Sequence, residues 1–165
     1  MVPPLSRDAL EALWLRAYAL DDQDKPRVAF RLLRRAAEAG HHGSQLHLGV
    51  LYDTGRGVRR SRERALHWYR KGARRREAAA ASNIATLYRD EGRMGLAVRW
   101  FERAVEWGDA DALLELAKLY LGPLQDRPRA RRLLARLRRN KGSTTPLTQE
   151  EATLLLAGLE ASTRT

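Results

Sequence analysis

Four tyrosines, Tyr18, Tyr52, Tyr88 and Tyr120, stand 34, 36 and 32 residues apart. Self-similarity at such a period marks a stacked repeat, in which each unit leaves an apolar face that only its neighbour can cover. Four positions before each tyrosine is a large apolar residue: Trp14, Leu48, Ile84 or Leu116. Three positions before it is Leu15, Gly49, Ala85 or Ala117. A small residue in three of the four copies predicts close approach of another helix backbone, with no room for a larger side chain.

A second pattern follows each tyrosine, starting at Ala29, Ala65, Ala97 and Ala130. Three and four residues later come Leu32 and Leu33, Trp68 and Tyr69, Trp100 and Phe101, and Leu133 and Leu134; seven residues on are Ala36, Gly72, Ala104 and Leu137. The i, i+3, i+4, i+7 spacing puts these residues on one face of a helix. Each repeat is therefore two helices.

The expected fold is all-α: an α/α solenoid of four helix-turn-helix repeats, at about 6–40, 43–76, 77–108 and 109–141, in one domain spanning 1–165. Ser61 is expected to cap the second helix of repeat two, while Asp24 with Pro26 and Asp126 with Pro128 mark other starts. Gly40 and Gly108 supply the left-handed residue that closes a helix. Thr148 and Glu151 read as a capping box opening a final helix, about 148–161, over the end of the stack.

Within this frame, "LGVLYDTGRGVRRSRERALHWYRKGA" resembles the Sel-1-like repeat, a relative of the tetratricopeptide repeat. Leu48, Gly49, Tyr52, Gly55, Gly57, Val58, Ala65, Trp68, Tyr69, Lys71 and Ala73 fall on its signature; Ser61, Arg64 and Gly72 depart from it. The other three repeats lack the G-x-G-V loop, and repeats three and four are similar to tetratricopeptide repeats in their shorter tyrosine-to-alanine gap. The resemblance covers about Leu13 to Leu137. It implies a non-catalytic adaptor that binds other proteins, such as a bacterial scaffold, regulator or toxin-immunity protein.

Enzymatic and cofactor chemistry find little support. "TGRGV" lacks the lysine and hydroxyl residue of a P-loop, and the third glycine and preceding strand of a dinucleotide loop, so Gly55 and Gly57 are read as turn residues. His41, His42 and His47 lack the spacing of a metal set, and "DDQD" at Asp21–Asp24 lacks the glycine and distal glutamate of a calcium loop. With no cysteine there is neither a thiolate ligand nor a thiol nucleophile. No catalytic, cofactor-binding or metal residues are expected, and no enzyme. The N-terminus carries no signal-peptide pattern and no window is apolar enough to span a membrane, so a cytoplasmic protein is expected.

In related solenoids the first helices line the concave groove. The corresponding positions are Arg16 in repeat one, Leu46, Val50 and Asp53 in repeat two, Ser82, Thr86 and Arg89 in repeat three, and Leu114, Lys118 and Leu121 in repeat four. They share a face by i+3 and i+4 steps. Aliphatic at Leu46, Val50, Leu114 and Leu121 and cationic at Arg16, Arg89 and Lys118, such a groove suits an acidic peptide or protein partner with apolar anchors.

The formal charge of +11 leaves a second reading, nucleic-acid binding. Nine basic residues against one acid lie between Arg59 and Arg76, including Arg59, Arg60, Arg62, Arg64, Arg74 and Arg75. Eight against none lie between Arg127 and Lys141, including Arg131, Arg138 and Arg139. Between the blocks, Glu77 to Asp126 carries nine acids against five bases, which interrupts the continuous stripe that a backbone-tracking protein needs.

Overall fold

Each predicted hairpin forms. The computed structural model describes residues 5–139 and 144–161, and all regular structure among them is helical. Nine helices occur among the described residues: α1 (Arg7–Asp22), α2 (Pro26–Glu38), α3 (His42–Thr54), α4 (Arg62–Arg74), α5 (Ala78–Asp90), α6 (Met94–Glu106), α7 (Ala112–Leu121), α8 (Arg127–Arg139) and α9 (Pro146–Ala161). Their order is that of an α/α solenoid. The contacts divide the chain into two compact units, Met1–Arg75 and Arg76–Thr165, each holding two hairpins. The end predicted for repeat four, residue 141, lies outside the described residues.

In the first unit α1 packs on α2, α2 on α3 and α3 on α4. The start of every second-helix stripe is sealed, with Ala29 and Ala65 buried here and Ala97 and Ala130 in the second unit. The i+4 position is equally buried, at Leu33, Tyr69, Phe101 and Leu134. The i+3 position sits nearer the edge: Trp68 is 9% exposed, and Leu32, Trp100 and Leu133 are half-buried. Tyr52, Tyr88 and Tyr120 are core residues, whereas Tyr18 is 51% exposed.

The close approach expected at Gly49 comes from a side chain, not a backbone. A Cβ at Gly49 would lie 2.5 Å from Cε1 of Tyr69, so hydrogen there lets the ring lie against α3. At the elbow, Gly55 and Gly57 have φ of 78° and 72°, as the turn reading required. A Cβ on Gly57 would fall 2.3 Å from the carbonyl oxygen of Pro26. The elbow of repeat two is thus pressed on the first turn of α2.

Helix starts follow the capping rules with two corrections. Ser61 accepts from the Arg64 amide and Asp126 from the Arg129 amide, both as expected. Asp24 is not a cap: it takes a left-handed φ of 55°, Lys25 occupies the cap position, and Pro26 opens α2. Thr148 is not a cap either. The Thr145 hydroxyl accepts from the Thr148 amide, Pro146 holds the first helical position, and α9 begins earlier than predicted.

In the second unit α6 packs on α5 and α7, α8 on α7, and α9 on α8. Ala152 and Leu156 of α9 join Leu113, Leu114, Ala117, Leu134 and Leu137 in one apolar cluster, with Leu121, Leu155 and Leu159 packed against it. The final helix therefore covers the end of this unit, as a cap helix should.

Candidate interaction surface

In the first unit, α1 and α3 meet through aromatic rings. Trp14 and Tyr18 lie edge to face at 5.7 Å between centroids, Tyr18 reaches His47 at 5.2 Å, and Trp14 reaches His41 at 6.0 Å. Leu15, one residue from this row, is 57% exposed. Burial holds the His47 imidazole below the ordinary histidine value, and the Asp21 carboxylate offsets part of that effect. Leu46, Val50 and Asp53 are half-buried on α3, and Arg16 is exposed on α1. Asp53 is already engaged: Arg60 Nε donates to its carbonyl oxygen at 2.6 Å and Arg60 Nη2 lies 3.7 Å from its carboxylate.

His41 explains part of the histidine cluster. Its Nδ1 accepts from the Ser44 amide at 3.2 Å and so caps α3, while Nε2 lies 3.1 Å from a Glu11 carboxylate oxygen on α1. The hydroxyl of Ser44 is 2.8 Å from the same Nδ1, which puts serine, histidine and carboxylate in series. Ser44 is 0% exposed, so no substrate reaches that hydroxyl, and the series is a tie between α1 and α3. No group of three or more histidine, cysteine, aspartate or glutamate side chains among the described residues is placed to hold a metal ion. No helix among them is long and apolar enough to cross a membrane.

In the second unit the first-helix face is a charge ladder. Arg89 on α5 donates from Nη1 to Glu115 at 2.7 Å and from Nε to Asp90 at 3.1 Å. Lys118 donates to Glu115 at 3.2 Å and lies 2.9 Å from Glu151 on α9. Burial alone would lower the Lys118 ammonium, but the bonds to Glu151 and Glu115 outweigh it and raise its pKa above the ordinary lysine value. Ser82 donates to Asp109, whose other oxygen accepts from the Asp111 and Ala112 amides at the start of α7. Thr86 is half-buried.

These contacts correct the expected groove in repeat four. Leu114 is 4% exposed beneath α9 and offers no surface, and Leu121 packs against the same cluster. Arg89 and Lys118 do not stand ready for an acidic partner, because carboxylates of the same unit already hold them.

The arginine blocks divide in the same way. Arg64 and Arg129 from the two blocks, and Arg93 from the stretch between them, stand at the starts of α4, α8 and α6 and lie over the rings of Tyr52, Tyr120 and Tyr88 at 5.5, 5.0 and 5.0 Å. A repeated cation–π lid thus covers the repeat tyrosine, worth about 0.5–1 kcal/mol at a partly exposed site. Arg60 holds Asp53, and Arg62 and Arg75 are half-buried. Arg59, Arg74, Arg131, Arg138 and Arg139 are exposed.

The Sel1 repeat model matches residues 10–41, 42–76, 87–109 and 110–138, more than half of the sequence. The chain belongs to the Sel1 repeat family. The solved Sel1 repeat protein from Oxalobacter formigenes is 25% identical, with a TM-score of 0.72 over 92% of this chain and 65% of that one. A protective antigen present in uropathogenic Escherichia coli strains, displaying the same repeat fold, superposes with a TM-score of 0.71 at 18% identity, over 88% of this chain and 33% of that one. Chitin synthase regulatory factor 3 of Schizosaccharomyces pombe is 32% identical over 103 residues, 58% of this chain and 11% of the yeast protein. The chain therefore spans about a tenth of that relative and just under two thirds of the Oxalobacter one. Sel1 repeats are generally a non-catalytic scaffold for protein–protein interaction.

Proposed function

We propose that this Sel1 repeat chain is a non-catalytic adaptor that binds a peptide or protein partner on the faces of its first helices. One observation carries the reading: in the first unit, Leu15 and Tyr18 on α1 remain 57% and 51% exposed, and Leu46 and Val50 on α3 are only half-buried. Leu15 and Tyr18 are not enclosed in the core, although one edge of the Tyr18 ring meets Trp14 and His47, and exposed apolar and aromatic side chains serve recognition. The partner is one with apolar or aromatic anchors. An acidic flank on it would meet Arg16, since Arg89 and Lys118 are held internally.

The test is parallel capture with the wild-type chain and a Leu15→Ser/Tyr18→Ser variant as baits in lysate of the source cells. The variant should keep its helical circular dichroism and lose the captured partner. An unchanged set of captured proteins overturns the first-helix reading.

A second reading, nucleic-acid binding, rests on α8, where Arg131, Arg132, Arg136, Arg138 and Arg139 are all exposed and no acid interrupts them. It predicts a gel shift whose affinity falls steeply with salt. No shift at low salt removes it.

A further inference from the structure

The second-helix stripes repeat not only their apolar residues but a cation. In repeat two the Lys71 ammonium sits 4.1 Å above the ring of Trp68, and in repeat three the Arg103 guanidinium sits 4.6 Å above Trp100. All four repeats carry a cation three residues after the i+3 position of the stripe, and repeats two and three pair it with a tryptophan, whereas repeat one has Leu32 before Arg35. Repeat four keeps the cation, Arg136, and replaces the tryptophan with Leu133.

Leu133 and Arg136 both line a cleft of about 320 Å³ in the second unit, between α6, α7 and α8. Val105, Leu116 and Leu133 line it with apolar surface, Glu102 and Glu106 stand on its α6 side, and Arg136 and Arg129 stand on its α8 side, Arg129 being held by its bond to the Tyr120 hydroxyl at 3.0 Å. Glu102, Glu106 and Arg136 are exposed, so the cleft opens to solvent, and among the described residues these three have no ion-pair partner. An apolar cavity of ~150 Å³ holds a benzene ring, so 320 Å³ admits a bicyclic ring with part of its backbone.

We propose that this cleft receives a tryptophan side chain from a basic peptide segment of a partner, in place of the tryptophan that repeat four lacks. The indole lies on Leu133 under the Arg136 guanidinium, repeating the stacking of Lys71 on Trp68 and Arg103 on Trp100. Its N–H points to the acidic side, where Glu102 or Glu106 accepts it, and the same carboxylates attract a lysine or arginine next to the tryptophan. Tryptophan is also among the residues that most often anchor an interface in a pocket that binding desolvates. The site lies between the second helices α6 and α8, with Leu116 of α7 lining it, and uses none of the first-helix residues on which the proposed function rests.

The test is a methyl NMR titration of the full chain with acetyl-Lys-Trp-Lys-amide, using acetyl-Lys-Ala-Lys-amide as control. Saturable shifts are expected at the methyls of Val105, Leu116 and Leu133 with the tryptophan peptide alone. Leu133→Trp supplies the ring internally and should abolish the shifts at Val105 and Leu116 while raising the melting temperature. Should L133W not fold, Glu102→Gln/Glu106→Gln, confined to exposed side chains, is expected to weaken binding by about tenfold. The proposal fails if no methyl in the cleft shifts, if the alanine peptide shifts them equally, or if the folded variants bind as wild type does.

Discussion

Arg56, between the two elbow glycines of repeat two, donates from Nε to Asp21 Oδ1 at 2.7 Å and from Nη2 to the Asp21 carbonyl oxygen at 3.0 Å, across 35 residues of sequence. The elbow of one repeat is thereby fastened to the helix turn of the repeat before it. The glycines make this seating possible, and the arginine decorates it. Gly57→Ala would place a methyl within 2.3 Å of the Pro26 carbonyl at a φ of 72°, and about 1–3 kcal/mol of stability should be lost. Arg56→Ala, at an exposed pair, should scarcely move the denaturation midpoint. Gly158→Ala on α9, with open space around the new methyl, should gain about 0.5–1 kcal/mol. Urea titration of the three variants by circular dichroism checks the order.

The contact between Gly49 and Tyr69 makes a coupled prediction. Gly49→Ala drives a methyl into the ring, and overpacking of this kind costs about 1–3 kcal/mol. In a Tyr69→Leu background the ring is gone and the added methyl should be close to neutral. A double-mutant cycle measured by chemical denaturation should therefore be strongly non-additive. Additive losses would mean that the ring does not rest on Gly49.

Tyr69 also sets an alkaline limit for the first unit. Burial first, and the Asp53 carboxylate second, push its phenol well above the ordinary value of 10.0. With the folded pKa above the unfolded one, the folded state keeps a proton that the unfolded state releases. The contribution is whole below pH 10.0 and declines as pH rises above it. Tyr69→Phe, which cannot titrate, should flatten the loss of melting temperature above pH 10. Equal slopes in both proteins would rule this out.

Much of this architecture was written in the residues, and the rest depended on which repeats neighbour which. Ala65, Tyr69, Phe101 and Leu134 were readable as core because helical periodicity is local. Gly55 and Gly57 were readable as turn residues, but not the Pro26 carbonyl that Gly57 must clear. The first-helix face was inferred from spacing alone, and spacing says nothing about neutralisation. Arg89 and Lys118 looked like free cations because Glu115 lies 26 residues from the first and Glu151 comes from the cap helix. Leu114 looked like surface because the sequence placed a cap helix at the end of the stack without saying which side chains it would cover. The equivalence of the i+3 and i+4 positions was also misleading: both are apolar, yet only the second is fully enclosed in every repeat.

The ladder that joins Arg89, Glu115, Lys118 and Glu151 is partly exposed, so its contribution should be small and sensitive to salt. Glu115→Gln removes the shared acceptor while Arg89 keeps Asp90 and Lys118 keeps Glu151. A loss below about 1 kcal/mol is expected at low salt, shrinking as ionic strength rises. Thermal melts of both proteins at two salt concentrations check it. A larger loss that persists in high salt would assign Glu115 a packing role instead.

The start of α9 separates two threonines that look alike in sequence. Thr145 accepts from the Thr148 amide, and its carbonyl accepts from the Gln149 amide at 3.1 Å, so it is the residue that ends the connection and begins the helix. Thr148 is buried inside the first turn, its hydroxyl 2.7 Å from that of Thr145. Thr145→Ala should cost about 1 kcal/mol, the usual consequence of losing a cap, and should speed amide exchange at Thr148 and Gln149. Thr148→Val keeps the shape of the buried side chain and leaves the cap in place, so the exchange of Gln149 should stay slow. If Thr148→Val frays the first turn as much as Thr145→Ala does, the cap lies where the sequence motif placed it. Because Ala152 and Leu156 reach the apolar cluster only when this turn is formed, the loss in Thr145→Ala should extend to slower-exchanging amides of α8.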